Sequence, residues 1–145
     1  MQRIEIYAKV RVGSAAPEQL TRVATAIVEA ARPVPGCIRC DWFWHGPRRE
    51  AIAMLVYRDA AALQQHRLAA DAHGAQLRQL GEVAVEFLGQ PSPDVLGELK
   101  SWSPTVMQFD SGIDARSGAH RFVRHDSAAV PSAGQQPAAG QEKKT

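Results

Sequence analysis

Hydrophobic and polar residues alternate along several stretches in the first ninety residues of this chain. Over residues 4–12 every second residue is apolar, which predicts a strand with one buried and one polar face. The same alternation returns over residues 38–45 and 82–87. Residues 51–56 are apolar at every position and predict a strand that lies centrally in a sheet and is covered on both faces.

Helical periodicity separates these strands. In the first predicted helix, apolar side chains recur at the i, i+3, i+4 and i+7 positions of an amphipathic helix, namely Leu20, Val23, Ala24, Ile27, Val28 and Ala31. Pro17 suits its first turn, and the sequence Pro-Val-Pro-Gly at residues 33–36 ends it. A second helix is predicted to begin at the N-cap Asp59 and to run, with a bend near Asp71, to Leu80.

The order of these elements is β-α-β-β-α-β, which predicts an α+β fold: a ferredoxin-like antiparallel sheet with helices on one face. This domain is predicted to fill residues 1–90. Residues 91–110 are predicted to form a helical extension and an arm, which pack apolar side chains such as Trp102 onto the body. Residues 111–145 are rich in Ser, Ala, Gly, Gln and Pro and are predicted to be a disordered tail.

Charge and hydropathy narrow the range of functions. Residues 1–110 hold twelve basic and twelve acidic residues, so the formal net charge of +2 lies in the tail. A neutral domain lacks the basic surface that nucleic-acid binding requires, so no nucleic-acid partner is expected. No apolar run reaches the ~20 residues of a membrane span, and the charged start does not resemble a secretory signal, which predicts a cytoplasmic protein with no membrane partner.

The two cysteines, Cys37 and Cys40, have the C-x-x-C spacing of many redox and zinc sites. They lie at the start of a predicted strand, in which residues three apart point to opposite faces. On that geometry the two sulfurs can neither form a disulfide nor share a metal ion, and zinc would require two further ligands. The chain is therefore predicted to carry two reduced thiols and no metal ion.

Three short stretches resemble one known family: the opening strand Ile4–Ala8, the entry Pro35–Arg39 to the second strand, and the run Tyr57–His66 with His73 beyond it. Together they resemble the antibiotic biosynthesis monooxygenase domain of the dimeric α/β barrel superfamily, over residues 2–90. The resemblance implies a homodimer whose sheets face each other, with a pocket between sheet and helices in each protomer. It also implies a cofactor-independent monooxygenase, in which a small aromatic or polycyclic phenol or quinol is itself the reductant for oxygen.

The chain departs from that family at two places. Family members often carry Glu two residues before the aromatic residue that Tyr57 matches, and this chain has Leu55 there. The surroundings of His73 do not resemble the haem-ligating motif of the haem-degrading branch. These departures leave a second interpretation open, a non-catalytic module that binds a small ligand or dimerises, while a haem-binding protein is the least favoured interpretation. No cofactor is expected.

Five side chains are the candidate site residues. His66 and His73 share helix faces with apolar residues and are expected to point towards the sheet, where a neutral imidazole is able to accept a phenolic proton. They are the candidate catalytic bases, and the alternative is that each bonds a backbone carbonyl. Trp42, Trp44 and Tyr57 are the candidate substrate-binding residues, since aromatic rings stack on flat ligands, with core packing as the alternative for the two tryptophans.

Overall fold

The computed structural model describes residues 3–114 and 121–124. The elements of the first ninety residues follow the predicted order, and the second helix is divided into two: β1 (Ile4–Val12), α1 (Pro17–Ala31), β2 (Cys37–His45), β3 (Glu50–Tyr57), α2 (Ala60–Ala69), α3 (Asp71–Leu80) and β4 (Gly81–Leu88). Five further elements follow: α4 (Pro93–Glu98), a 3-10 helix (Lys100–Trp102), β5 (Thr105–Met107), β6 (Ser111–Asp114) and β7 (Arg121–Arg124).

The first five strands form one sheet in the order β2-β3-β1-β4-β5. The pairs within β2-β3-β1-β4 are antiparallel, and β5 adds to the edge by pairing in parallel with β4. At the centre, Ala8 of β1 lies opposite Ala53 of β3 on one side and Val85 of β4 on the other. This is the strand order of a ferredoxin-like sheet, so the predicted fold class is confirmed.

The helices cover one face of this sheet. The apolar positions of β1 are buried beneath them, while Lys9 and Arg11 on the alternate positions are exposed. Five of the six apolar positions predicted for α1 are buried, namely Leu20, Val23, Ala24, Ile27 and Ala31, and Val28 is partly buried. Burying one apolar stripe of each element is what stabilises such a two-layer arrangement. Within the described residues no helix is both long and apolar enough to span a membrane.

The other face of the sheet, here called the open face, has no helix packed on it among residues 3–108. In β3 it carries Ile52 and Met54, both only partly buried, next to Phe43 of β2, which is 53% exposed. The sequence predicts that β3 is covered on both faces, whereas elements within residues 3–108 cover one. Ile52 and Met54 therefore leave apolar side chains on a face that no element within those residues covers.

The predicted bend in the second helical segment is confirmed. Asp59 caps α2, since its side-chain oxygen accepts a hydrogen bond of 2.9 Å from the backbone N–H of Ala62. The helix ends at Ala69, and Ala70 joins it to α3, which starts at Asp71. The break turns α3 so that Leu77 is buried against the sheet layer.

The prediction that the two cysteines face opposite sides of β2 is wrong. Cys37 lies opposite Tyr57 and Cys40 lies opposite Leu55, with a register shift between Cys37 and Arg39. Tyr57 and Leu55 are two residues apart in β3 and therefore share a face, so the bulge brings both cysteines to the helix-covered face. Both are free thiols.

The chain divides into two compact units, Met1–Gln108 and Phe109–Thr145. In the second unit β6 and β7 pair antiparallel, with Ser111 opposite Arg124. These strands lie inside the segment predicted to be a disordered tail, and β7 contains the apolar pair Phe122-Val123 that distinguishes it from the rest of the tail sequence. The other residues of the predicted tail lie outside the described residues, so the domain boundaries stay a prediction.

Candidate functional site

A pocket of about 120 Å³ lies between the helix-covered face of the sheet and the helices. It is called the central pocket below. The sheet contributes small and aliphatic side chains, the helices contribute a further apolar set, and the pocket wall is predominantly apolar, as in most small-molecule sites. The lining residues include Ile6, Ala8, Trp42, Ala53, Leu55, Tyr57, Leu63, His66, Leu77, Val83, Val85, Leu99 and Trp102.

Tyr57 and His66 form a buried hydrogen-bonded pair in this wall. Their side chains are 2% and 3% exposed, and the Tyr57 hydroxyl lies 2.6 Å from His66 Nδ1. On the other side of the ring, His66 Nε2 lies 2.8 Å from the carbonyl oxygen of Ile27. A carbonyl oxygen only accepts, so Nε2 carries the proton and Nδ1 accepts the hydrogen bond that the Tyr57 hydroxyl donates. The imidazole is therefore neutral with both nitrogens engaged.

Burial keeps both members of the pair neutral. It lowers the pKa of His66 below its usual value, and the hydrogen bond to the Ile27 carbonyl opposes that effect only in part. The pKa of Tyr57 is raised well above the ordinary phenolic value, mainly by burial and further by the neighbouring thiols of Cys37 and Cys40. Because the Tyr57 proton is committed to His66, the Tyr57 oxygen has accepting capacity left for a ligand.

Local sequence places the pair. Tyr57 is the last residue of β3, and α2 begins three residues later at Ala60. His66 therefore lies in the second turn of α2, one turn after Leu63. The chain is held tightly here because Gly36, just before β2, packs against α2: a Cβ added at Gly36 would lie 2.5 Å from the Ala62 Cβ. The missing side chain is what allows this close approach.

Trp42 lines the central pocket from β2, and its predicted role in substrate binding stays a prediction. Its indole Nε1 is the buried side-chain polar atom that lacks a hydrogen-bond partner among the described residues. The neighbouring Cys40 sulfur is a weak acceptor at most, because burial, the largest effect, raises the pKa of that thiol to about 11 and keeps it protonated. An unsatisfied buried donor is costly, so a ligand with an acceptor group would gain from this position.

The outer wall of the pocket comes from Leu99, which joins α4 to the 3-10 helix, and from Trp102 of the 3-10 helix. Two arginines tie this segment to the helical layer. Arg67 of α2 donates from Nε to the Glu98 carboxylate at 2.8 Å. The guanidinium of Arg78 in α3 lies over the Trp102 ring, 3.7 Å from its centroid, and donates to the Ser101 carbonyl at 2.8 Å.

Two predicted site residues lie outside the central pocket. His73 does not line it, and its Nδ1 lies 3.3 Å from the Gln76 side-chain oxygen. The reason is that the side of α3 facing the pocket runs through Gly74 and Leu77, which is displaced by one residue from His73. Trp44 is 41% exposed and lines a separate groove between β2 and α1.

Sequence reasoning missed the backbone carbonyl of Ile27 and the role of Arg78. A carbonyl leaves no trace in a sequence pattern, and Arg78 reads as an ordinary surface residue. Trp102 was expected to pack onto the body, but nothing in the sequence indicated which surface it would meet. Among the described residues no group of three or more His, Cys, Asp or Glu side chains is arranged to hold a metal ion.

Comparison with known proteins gives relatives by structure alone. No family model matches this sequence, and no curated protein matches it. MupZ from Pseudomonas fluorescens superposes with a TM-score of 0.67 at 16% identity, over 81% of this chain and 98% of that protein. SnoaB, a cofactor-independent oxygenase from Streptomyces nogalater, gives 0.55 at 17% identity, over 64% of this chain and 99% of its own.

A third solved structure, described as an antibiotic biosynthesis monooxygenase, gives a TM-score of 0.53 at 16% identity, over 61% of this chain and 99% of that protein. TM-scores above 0.5 show a common fold, and identities of 16–17% leave the reaction open. The chain therefore has the ferredoxin-like fold of the antibiotic biosynthesis monooxygenases.

Proposed function

We propose that the central pocket binds a small phenol or quinol and that the protein is a cofactor-independent monooxygenase acting on it. The observation that carries the proposal is the Tyr57–His66 pair at the wall of an apolar pocket. An apolar pocket with a few convergent polar groups suits a flat aromatic ligand. The Tyr57 oxygen is available to accept the hydroxyl proton of such a ligand, and His66 Nδ1 is available to take the proton of Tyr57 in turn.

In the proposed reaction the ligand supplies all the electrons. The proton of the phenol moves to the Tyr57 oxygen while the Tyr57 proton moves to His66 Nδ1, which leaves a phenolate and an imidazolium separated by the Tyr57 hydroxyl. The phenolate reduces O₂, one oxygen atom enters the ring, and the other leaves as water. A hydroquinone and O₂ thereby give a hydroxyquinone and water. The apolar walls shield the reduced oxygen intermediate from bulk water.

The Ile27 carbonyl has a positioning role in this scheme. Its hydrogen bond to His66 Nε2 fixes the ring orientation and leaves Nδ1 as the accepting nitrogen. The same bond favours the imidazolium once His66 is protonated, because a charged donor makes the stronger hydrogen bond. Tyr57 and His66 thus act as a relay, rather than His66 acting as a free base on the ligand.

Oxygen consumption by the purified protein tests the proposal, measured without added cofactor and with a chelator, across phenols, quinols and catechols. We expect uptake that depends on the substrate and falls by about 10²-fold or more in Tyr57→Phe and His66→Gln, the range lost with a general acid–base group. Tyr7→Phe is the matched control, because Tyr7 lies on the open face of β1 and the substitution removes the same hydroxyl group away from the pocket. Uptake that is equal in all variants would contradict the relay.

A non-catalytic ligand-binding module is the second candidate. It is favoured by the engagement of both His66 nitrogens and by the burial that lowers the His66 pKa, since a resting base of this kind is a weak one. The same experiment separates the two candidates when binding is recorded in parallel. Calorimetric binding of the phenols without oxygen uptake would establish the module and remove the oxygenase.

We also propose that two copies of this chain pair through their open faces. The support is the apolar content of that face, with Ile52 and Met54 partly buried and Phe43 exposed. A stable protein interface covers about 800 Å² on each partner, which a four-stranded sheet face is large enough to supply. Light scattering on a size-exclusion column is expected to give a dimer that Phe43→Glu dissociates and that Leu68→Glu, an equally exposed position on α2, leaves intact.

A further inference from the structure

Trp102 lines the central pocket from outside the sheet and the three long helices α1, α2 and α3. It is the last residue of the 3-10 helix, and its backbone N–H donates to the Leu99 carbonyl at 2.9 Å. It lines the pocket together with residues of the sheet. The wall that Trp102 forms is therefore carried by a short segment, while the remaining walls belong to the sheet and to α1, α2 and α3.

Two residues of α3 set the position of the indole. Gly74 lies directly against it: a Cβ added at Gly74 would lie 3.1 Å from Trp102 Cζ2 and 3.6 Å from Cη2. One turn later, the Arg78 guanidinium covers the ring face at 3.7 Å from the centroid. A glycine that admits the ring edge and a cation stacked on the ring face together fix how far the indole extends into the pocket.

The pocket that results is small. Its volume of about 120 Å³ is of the same order as the roughly 150 Å³ of an engineered protein cavity that accommodates one benzene ring. Protein interiors are close-packed and yield little around a ligand, so a fused two-ring or three-ring compound exceeds the space available. A larger ligand would require one wall to move, and the Trp102 wall is the one that is not part of the sheet or of a long helix.

We propose that Trp102 is the specificity-determining residue of this pocket: in the position set by Gly74 and Arg78, it limits the ligand to a single aromatic ring. The proposal rests on the assignment of the central pocket as the ligand site, and it narrows the ligand class to monocyclic compounds. Outward movement of Trp102 breaks the stacking contact with Arg78, so Arg78 governs how readily the pocket accepts anything larger. Arg67 and Glu98 hold the preceding residues of the segment in place through their 2.8 Å ion pair.

Calorimetric titration with benzene and naphthalene tests the proposal without reference to catalysis, because neither hydrocarbon has a hydroxyl for Tyr57. We expect the native protein to bind benzene at least tenfold more tightly than naphthalene. In Trp102→Ala we expect naphthalene binding to strengthen at least tenfold, so that the order of preference reverses. Trp44→Ala is the matched control, since it removes the same ring from a separate groove and is expected to leave both affinities unchanged.

A second variant keeps the test decisive if Trp102→Ala does not fold. Arg78→Met removes the stacked cation and keeps the indole, and it is expected to strengthen naphthalene binding by a smaller factor than Trp102→Ala. Unchanged preference in either folded variant, or failure of the native protein to bind benzene, would overturn the proposal. Oxygen uptake with hydroxylated substrates is recorded separately. If Trp102→Ala reverses the preference between benzene and naphthalene but no oxygen is consumed, only the oxygenase proposal is refuted. If oxygen is consumed but the preference does not reverse, only the role of Trp102 is refuted.

Discussion

Replacing Tyr57 by Phe removes one oxygen atom from the interior of the protein. That oxygen donates to His66 Nδ1 at 2.6 Å, and both side chains are nearly inaccessible to solvent. The ring of the phenylalanine keeps the packing of Tyr57, so the change isolates the hydrogen bond. In the variant, His66 Nδ1 stays buried and loses its donor, while His66 Nε2 keeps its hydrogen bond to the Ile27 carbonyl.

The expected loss follows from that geometry. A buried acceptor left without its donor costs about 1–3 kcal/mol of unfolding free energy, more than the net value of an average hydrogen bond. For a domain of this size each kcal/mol corresponds to about 4–8 °C in the melting temperature. We therefore expect Tyr57→Phe to melt several degrees below the native protein and to lose about 1–3 kcal/mol in urea unfolding, with an unchanged denaturant dependence.

Tyr7→Phe is the control for this measurement. The chain has two tyrosines, and Tyr7 lies in β1 opposite Met54 on the open face. Its change to Phe is chemically identical and removes no hydrogen bond within the described residues, so it is expected to cost about 0.5 kcal/mol or less. If the two variants lose the same free energy, the Tyr57–His66 hydrogen bond is not a significant contribution to stability and the reasoning above fails.

Three further predictions concern proton uptake, packing and thiol reactivity. Because burial lowers the pKa of His66, the unfolded chain binds a proton below about pH 6.5 that the folded chain does not bind. The free energy of unfolding should therefore fall on acidification below that pH by at most about 1.4 kcal/mol per pH unit. Urea unfolding at several pH values measures this slope, and the contribution of His66 to it should be absent in His66→Gln. A Cβ added at Gly81 would lie 1.9 Å from the Arg11 carbonyl oxygen, so Gly81→Ala should cost about 1–3 kcal/mol or more in thermal unfolding, whereas Gly97→Ala, with open space around it, should be neutral or slightly stabilising. With a pKa of about 11, roughly one Cys40 thiol in a thousand is a thiolate at pH 8. Alkylation followed by mass spectrometry should therefore label Cys40 on the order of a hundredfold more slowly than an ordinary exposed thiol. Rapid labelling would contradict its burial.

The regular elements were predictable because each has a periodicity that burial imposes. Alternation over residues 4–12 gave the strand β1, and the i, i+3, i+4 pattern from Leu20 to Ala31 gave α1. The capping residue Asp59 located the start of α2 within one residue. In these segments the local preference and the tertiary environment agree, so the pattern alone is sufficient.

The bulge in β2 was not predictable from periodicity. One extra residue between Cys37 and Arg39 reverses the face of every position before it, and no glycine or proline inside the strand marks the place. His73 shows a related difficulty at the site. The helix pattern is broad enough to include both Gly74 and His73, and only the packing of α3 decides that Gly74 faces the pocket while His73 meets Gln76.

The short chain segment between Tyr57 and His66 has a consequence for the order of folding. The two hydrogen-bonded residues are nine positions apart, so closing the loop between them loses little chain entropy. Pairing β1 with β4, in contrast, joins Val12 to Gly81 across most of the domain. We expect the β3–α2 unit to form its contacts before the sheet is complete, which pulsed amide exchange during refolding would show as early protection in α2. The polar centre of the pocket would then be assembled before the walls that enclose it.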